Sequence, residues 1–304
     1  MFDAPRRIDP GKPLPVYLII KDADRYPVRL SEVIIKVTYA DGSQKIARFP
    51  YGDRVINDAL WWDSINFIPV YAGPVQIQAH ALLRRGKKDL QVTTDNYEGT
   101  SRQPLMVYVS QTPLPVLPGW LHGDIHCHSA LTNDVIEFGA PVEVGAFAGY
   151  CMGLQWIVVT DHSYDFTADD GDGPPPEWTV LCEKADILAP TLTVIPGEEV
   201  TCRNLSGKNC HMLILNGRRF VPGTGDGGKK GLAARTEHTI AEAASIVRGD
   251  NAVVCAAHPF ERIGILERLV LKRGPWTRND FRAEDVHILQ IHNGVRDAGF
   301  REGW

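Results

Sequence analysis

Apolar and polar positions follow two different rhythms along the chain. Up to about residue 112 the apolar residues come in short runs, several of them alternating: Leu14–Ile20, Glu32–Tyr39, Lys45–Phe49, Ile65–Tyr71, Val75–Leu83 and Leu105–Val109. Period-two alternation turns one face of a strand to a core, and Val, Ile and Tyr suit a pleated surface. Turn-forming residues separate the runs at Asp41-Gly42, Tyr51-Gly52-Asp53, Ala72-Gly73-Pro74 and Arg85-Gly86-Lys87. Short strands at this spacing predict a β-sandwich over 1–112. Within it, Trp61-Trp62 is expected to be buried packing, and His80, inside an alternating strand, to be structural. Pro113, Pro115 and Pro118 fall within six residues and disfavour helix and strand interior alike, so 113–119 reads as a stiff linker.

From Trp120 the rhythm changes. Continuous apolar runs appear at Trp156–Thr160, Leu192–Gly197, Val253–Ala257 and Val286–Ile291, with helical segments between them. Pro141 opens a predicted helix that Gly153 ends, and a second covers Glu177–Leu188. Thr239-Ile240-Ala241-Glu242 spells a capping box, opening a third helix to about Arg248. Apolar runs separated by helices are the pattern of parallel strands buried on both faces, so 120–304 is expected to be α/β. The run His211–Leu215 is the exception. Only the turn-like Asn204–Asn209 separates it from the strand Leu192–Thr201, too few residues for a crossover, so it is expected to return antiparallel.

Candidate chemistry sits where each run stops. In Gly123-Asp124-Ile125-His126-Cys127-His128-Ser129 the two histidines share one face of an extended segment, and Asp124 is on the same face, placed to orient an imidazole. Later runs end in Asp161-His162, Glu198-Glu199, His258-Pro259 and His292-Asn293. The carboxyl ends of strands are where α/β sheets and barrels carry their chemistry. His211 precedes its run, and an antiparallel return brings it to the same end, near Glu199. The loop after the first strand offers a further carboxylate, Asp134. Imidazole and carboxylate donors in such number suit Zn²⁺, Mn²⁺ or Fe²⁺.

Composition narrows the picture. The chain has 304 residues, a formal net charge of −5 and 44% hydrophobic residues, enough for two packed domains. Mild acidity argues against a nucleic-acid-coating surface. No run approaches the ~18 apolar residues of a membrane span, and Met1–Arg7 lacks the apolar stretch of a signal peptide. The six cysteines, Cys127, Cys151, Cys182, Cys202, Cys210 and Cys255, are scattered without a Cys-x-x-Cys pair, as expected of reduced core thiols in a cytoplasmic protein. Cys127 and Cys210 adjoin candidate ligands, but thiolate ligation is the weaker reading. The acidic, glycine-containing stretch Asp169–Pro176 fails the EF-hand spacing, and the glycine- and lysine-rich stretch Phe220–Arg235 lacks the order of a P-loop; both are expected to be surface loops. Without a Gly-x-Ser-x-Gly elbow, the expected nucleophile is water.

Taken together, Asp124–Ser129, Thr160-Asp161-His162-Ser163, Pro196-Gly197-Glu198-Glu199-Val200, His211 with its run, and Ala257-His258-Pro259 resemble the PHP (polymerase and histidinol phosphatase) metal-dependent hydrolases, from about Leu121 onward, roughly 60% of the chain. The β-rich extension before it, immunoglobulin-like in its strand pattern, resembles that of the carbaryl-hydrolase-like branch. The resemblance implies a distorted (β/α)7 barrel holding up to three divalent ions. One position would use His126, His128 and Glu199. A second would use His162 and an aspartate at the place of Asp134, and a third Glu199, His211 and His258, with Glu199 bridging. The family closes its site with an Asp-x-His at the end of its last strand. No such motif is read after His258, and Ile291-His292-Asn293-Gly294 resembles the family's preceding strand, so the barrel is expected to lack its final strand. The second position is then expected to be weak and the third the most reliable, unless His292 or Asp297 substitutes. The implied activity is a phosphoesterase using a metal-activated water on a small phosphorylated molecule, with Asp161 and Arg262 in the catalytic set and Arg262 on a substrate phosphate. Hydrolysis of a carboxylic ester, amide or carbamate, or metal or carbohydrate binding without turnover, are the competing expectations. Neither nucleic acid nor membrane is an expected partner.

Overall fold

The computed structural model describes residues 1–94, 104–132, 139–166, 174–188, 191–225, 236–282 and 285–291. Two compact units divide the chain: Met1–His122 with Phe147–Leu154, and Gly123–Ala146 with Gln155–Trp304.

The first unit contains β1 (Phe2–Asp3), β2 (Arg7–Ile8), β3 (Leu14–Lys21), β4 (Val28–Thr38), β5 (Gln44–Ile56), β6 (Leu60–Phe67), β7 (Gly73–Arg85), β8 (Lys88–Thr93) and β9 (Leu105–Val109). One sheet has the order β1-β3-β6; the other has the order β2-β9-β7-β4-β5, with β8 added to β7. Alternate residues of β4 (Val33, Ile35, Val37) and β7 (Val75, Ile77, Ala79) meet Leu14, Val16 and Leu18 of β3 in one core. The strand expected at Ile65–Tyr71 is instead β6, because Pro69 has no N–H for a ladder and Ile68, Val70 and Tyr71 are exposed. Trp61 is buried but Trp62 is 38% exposed, as consecutive strand residues must face opposite ways. Tyr51-Gly52-Asp53 does not end a strand. It is a bulge inside β5, where Leu30 and Glu32 of β4 face Arg54 and Pro50, and Gly52 and Asp53 both take positive φ. His80 pairs its Nδ1 with the Gln91 amide nitrogen at 3.0 Å, a structural role.

The second unit holds β10 (Gly123–Cys127), β11 (Trp156–His162), β12 (Thr193–Arg203), β13 (Asn209–Leu215), β14 (Val253–Ala256) and β15 (Ile288–Leu289) in one sheet, ordered as in the chain. Three α-helices are described: α1 (Val142–Met152), α2 (Pro176–Leu188) and α3 (Ile240–Ile246). The carboxyl half of α1 belongs to the first unit, where Cys151 enters the core and its carbonyl accepts the Asp9 N–H. Pairing is parallel from β10 to β12, antiparallel on both sides of β13, and parallel from β14 to β15. Five strands therefore run one way and β13 alone runs the other. The carboxyl ends of the five and the amino end of β13 share one edge of the sheet. The sheet is curled as a half-barrel.

Both faces of β13 are covered, as its unbroken apolar run requires. Met212 and Ile214 pack with Ile240, Ala243 and Ala244 of α3, while Leu213 and Leu215 pack with Val158 and Cys255. The capping box is present: Thr239 Oγ1 accepts the Glu242 N–H, and the Glu242 carboxylate accepts the Thr239 N–H. Among the described residues, no helix is long and apolar enough to cross a membrane.

Candidate metal centre

The site is built along that shared edge. Strand β10 delivers His126, and the chain leaves it through His128 into a turn at Ser129–Thr132. The adjacent strand fixes this turn. The buried Asp161 carboxylate, on β11, accepts the N–H and hydroxyl of both Ser129 (2.6 and 2.7 Å) and Thr132 (3.1 and 2.7 Å). Thr132 thus gives its only hydroxyl proton to Asp161, and its oxygen faces Nδ1 of His128 at 3.4 Å as an acceptor. Asp161, expected in the catalytic set, has its carboxylate committed to these four donors. Asp124 also differs from expectation: its carboxylate accepts the His126 backbone N–H at 3.0 Å and so shapes the strand. Cys127 points away, donating its thiol to the Val158 carbonyl at 3.2 Å, and burial pushes that thiol well above its ordinary range. A thiol turned to a strand carbonyl is not aimed at the imidazoles of His126 and His128.

Gly139 closes the same turn. Its N–H donates to the Ser129 carbonyl at 3.1 Å, and a Cβ there would overlap the His128 carbonyl oxygen. Backbone cannot swing aside as a side-chain tip does. Gly139→Ala is therefore expected to destabilise the protein by at least ~1–3 kcal/mol, in the range of overpacking. It should also displace His128. Urea titration reads the first effect and metal calorimetry the second; an unchanged midpoint and affinity would refute the placement.

Glu199, on β12, is the hub. Its Oε2 lies 3.1 Å from His126 Nε2, 3.1 Å from His128 Nε2 and 3.3 Å from His162 Nδ1. Its Oε1 lies 2.7 Å from His211 Nδ1 and 3.0 Å from His258 Nε2. Antiparallel pairing carries His211 there, since β13 sets it opposite Thr201, two residues beyond Glu199. The Trp276 indole N–H holds the His211 carbonyl at 3.0 Å. Behind the ring of His258, Nδ1 meets the Glu261 carboxylate at 2.9 Å. His258 itself has a φ of +25°, a strained value for a residue with a Cβ. Gln290, just past β15, accepts the His258 N–H at 3.0 Å and faces His126 Nδ1 at 3.1 Å.

Adjacent carboxylates on β12 take opposite electrostatic courses. Burial alone would raise Glu199, but the imidazoles of His211, His126 and His162 hold it well below the usual carboxylate range. Glu198 faces the other way. Burial pushes it up to about 8, against the opposing hydrogen bonds of the Val221 N–H and the Ser163 hydroxyl. Burial would lower His258, yet its hydrogen bonds to Glu199 and Glu261 outweigh it and raise the ring to about 10.

His126, His128, His162, Glu199, His211 and His258 are thus gathered around one carboxylate. Their donors form two sets within 4.8 Å: His126, Glu199 and His258; and His128, His162 and Glu199. This division differs from the one implied by the family resemblance, which pairs His126 with His128 and His211 with His258. Two ligands about 2.1 Å from one tetrahedral ion stand roughly 3.4 Å apart, and the imidazole nitrogens lie 2.7–3.3 Å from the Glu199 oxygens, just inside that separation. Both the donor chemistry and the spacing fit a divalent cation. Asp134, Asn133, His292 and Asp297 lie outside the described residues. Arg262 is exposed. One Asp-x-His spelling does follow His258, at Asp285-Val286-His287, but it opens β15 rather than ending it. There Asp285 pairs with Arg248 at 2.5 Å, and His287 Nδ1 accepts the Val254 N–H. It belongs to the far end of the sheet. Sequence reasoning missed Gln290, Thr132 and Glu261; only Glu261, three residues after His258, had a readable signal.

No protein-family model matches the chain, and no curated protein matches it. Among solved structures it is similar to a two-domain protein from Bacteroides vulgatus containing a predicted PHP-like metal-dependent phosphoesterase. The identity is 16%, over 56% of this chain and 44% of that one, with a TM-score of 0.34. It is also similar to a Paenibacillus cycloisomaltooligosaccharide glucanotransferase, at 8% identity over 64% of this chain and 27% of that one, with a TM-score of 0.19. The chain spans less than half the length of either, and overlaps at these scores do not bear on its function.

Proposed function

We propose that this chain is a metal-dependent hydrolase, and more narrowly a phosphoesterase acting on a small phosphorylated substrate. The observation that supports it is one buried carboxylate, Glu199, approached on both oxygens by five imidazoles. In this proposal the ion or ions are Zn²⁺, Mn²⁺ or Fe²⁺, held by Glu199 with His126, His128, His162, His211 and His258, and the half-barrel is part of a distorted (β/α)7 barrel. A divalent ion there would supply Lewis acidity toward a phosphoryl oxygen and lower the pKa of a water. The chain's own part is placement. Asp161 fixes the turn that carries His128, Glu261 holds the ring of His258, and Glu199 keeps its negative charge between the two donor sets. Side chains of His128 and His258, 22% and 15% exposed, are the most open of the five imidazoles, so substrate reaches the centre on their side. Arg262, four residues after His258, is the proposed phosphate partner.

The test is metal analysis of purified protein beside parallel assays on an aryl phosphate monoester, an aryl phosphate diester and an aryl carboxylic ester. Phosphate release that a chelator abolishes and metal restores is the expected result. Turnover of the carboxylic ester alone would move the function to ester, amide or carbamate hydrolysis. Bound metal without turnover on any of them would leave a binding protein.

A further inference from the structure

Three imidazoles approach Glu199 through Nε2, and each has its Nδ1 held from behind: His126 by Gln290, His128 by Thr132, and His258 by Glu261. Gln290 differs from the other two anchors because one atom serves two parts of the centre. A backbone N–H can only donate, so the Gln290 atom 3.0 Å from the His258 nitrogen is the amide oxygen, not its nitrogen. The same oxygen faces Nδ1 of His126 at 3.1 Å. Nδ1 must therefore carry a proton, which leaves Nε2 as the position that takes a ligand role. The donor from His258 belongs to the residue whose backbone is strained at φ +25°. Gln290 is itself buried, and its N–H is held by the Ala256 carbonyl at 3.0 Å, continuing the β14–β15 ladder past Leu289. The sheet thus fixes the Gln290 backbone, from which the side-chain oxygen reaches both histidines.

We infer that Gln290 is the positioning residue that joins the two ends of this centre. Its side-chain oxygen keeps the His126 proton on Nδ1 and pins the strained His258 backbone, so that both rings present Nε2 to Glu199. The inference rests on reading the cluster as a metal centre. Partners behind a metal-binding imidazole typically change metal affinity 10–100-fold when removed.

Three proteins test it: wild type, Gln290→Leu, which keeps the volume but has no acceptor, and Gln290→Glu, which keeps the acceptor. Each is labelled with ¹⁵N-histidine, and the His126 ring signal is assigned with His126→Gln. In one-bond ¹⁵N–¹H spectra, wild type should show a slowly exchanging Nδ1–H at His126, with and without Zn²⁺. Gln290→Leu should lose that signal and bind Zn²⁺ 10–100-fold more weakly by calorimetry. Gln290→Glu should restore both, which a purely space-filling role would not require. A His126 Nδ1 without a proton in wild type would overturn the inference. So would a leucine variant with wild-type ring signal and wild-type Zn²⁺ affinity. Should Gln290→Leu fail to fold, Gln290→Met removes the same oxygen. Absence of Zn²⁺ binding in wild type would sink the metal reading by calorimetry alone, while the ring proton would still decide what Gln290 does.

Discussion

Glu199→Gln should lower divalent-metal affinity by more than the ~10–100-fold expected for an outer partner, with the proposed hydrolytic activity falling alongside it. The substitution keeps the volume of a side chain that is only 1% exposed, so the fold has no steric reason to change. It removes the carboxylate that His126, His128, His162 and His211 all approach, and turns one acceptor oxygen into a donor. Whichever oxygen becomes the NH₂ group, either His126, His128 and His162 or His211 and His258 then face N–H instead of a lone pair. Electrostatics adds a second readout without metal. The carboxyl of Glu199 is depressed in the folded protein, so it contributes stability above the ordinary glutamate pKa of 4.5 that is lost as pH falls through its folded value. His258 is raised to about 10, so its contribution is full below about 6.5 and lost as pH rises toward 10. Glu199→Gln should weaken both, and His258 should titrate lower in NMR spectra. Wild-type metal content in the variant would remove Glu199 from the centre of the site.

The arrangement around Glu199 was partly legible in the sequence because strand direction and strand ends are. Apolar runs that stop at His162, Glu199 and His258 place those residues on one edge once the strands are parallel, and the short Asn204–Asn209 turn forces β13 back so that His211 joins them. The capping box at Thr239 was readable for the same reason: its signal is local. What escaped the sequence depends on tertiary register. Asp161 reads as a catalytic residue beside His162, yet strand alternation turns it to the Ser129–Thr132 turn. Gln290 looks like a polar interruption in an apolar run, and only pairing with β14 brings it to His258. Strand β8 is polar and sits at an edge, so it lacks the apolar pattern by which its neighbours are recognised. The bulge at Gly52-Asp53 spells a turn because positive φ serves both purposes.

Glu198→Gln should make the protein more stable at neutral and alkaline pH while leaving metal binding in place, the opposite outcome from its neighbour. Glu198 is fully buried, and burial raises it from 4.5 to about 8. A raised carboxyl binds its proton more tightly in the folded state than in the unfolded chain. Its contribution is therefore full below about pH 4.5 and is lost as pH rises to about 8, because the unfolded chain gains by ionising and the folded protein does not. At 1.36 kcal/mol per unit, the loss at pH 7 is on the order of 3 kcal/mol. Glutamine removes this pH dependence and can keep the contacts. Its oxygen accepts the Val221 N–H in place of Oε1, and its NH₂ meets the Ser163 hydroxyl, which is free to rotate its proton to the Glu199 carbonyl 3.3 Å away. Urea denaturation in chelator at pH 4.5 and pH 7.5 tests this. The variant should match wild type at the acid end and exceed it by a few kcal/mol at the other, following the per-unit scaling. Parallel stability curves for the two proteins would mean that Glu198 is ionised in the fold, and that the Val221 N–H and Ser163 hydroxyl compensate its burial.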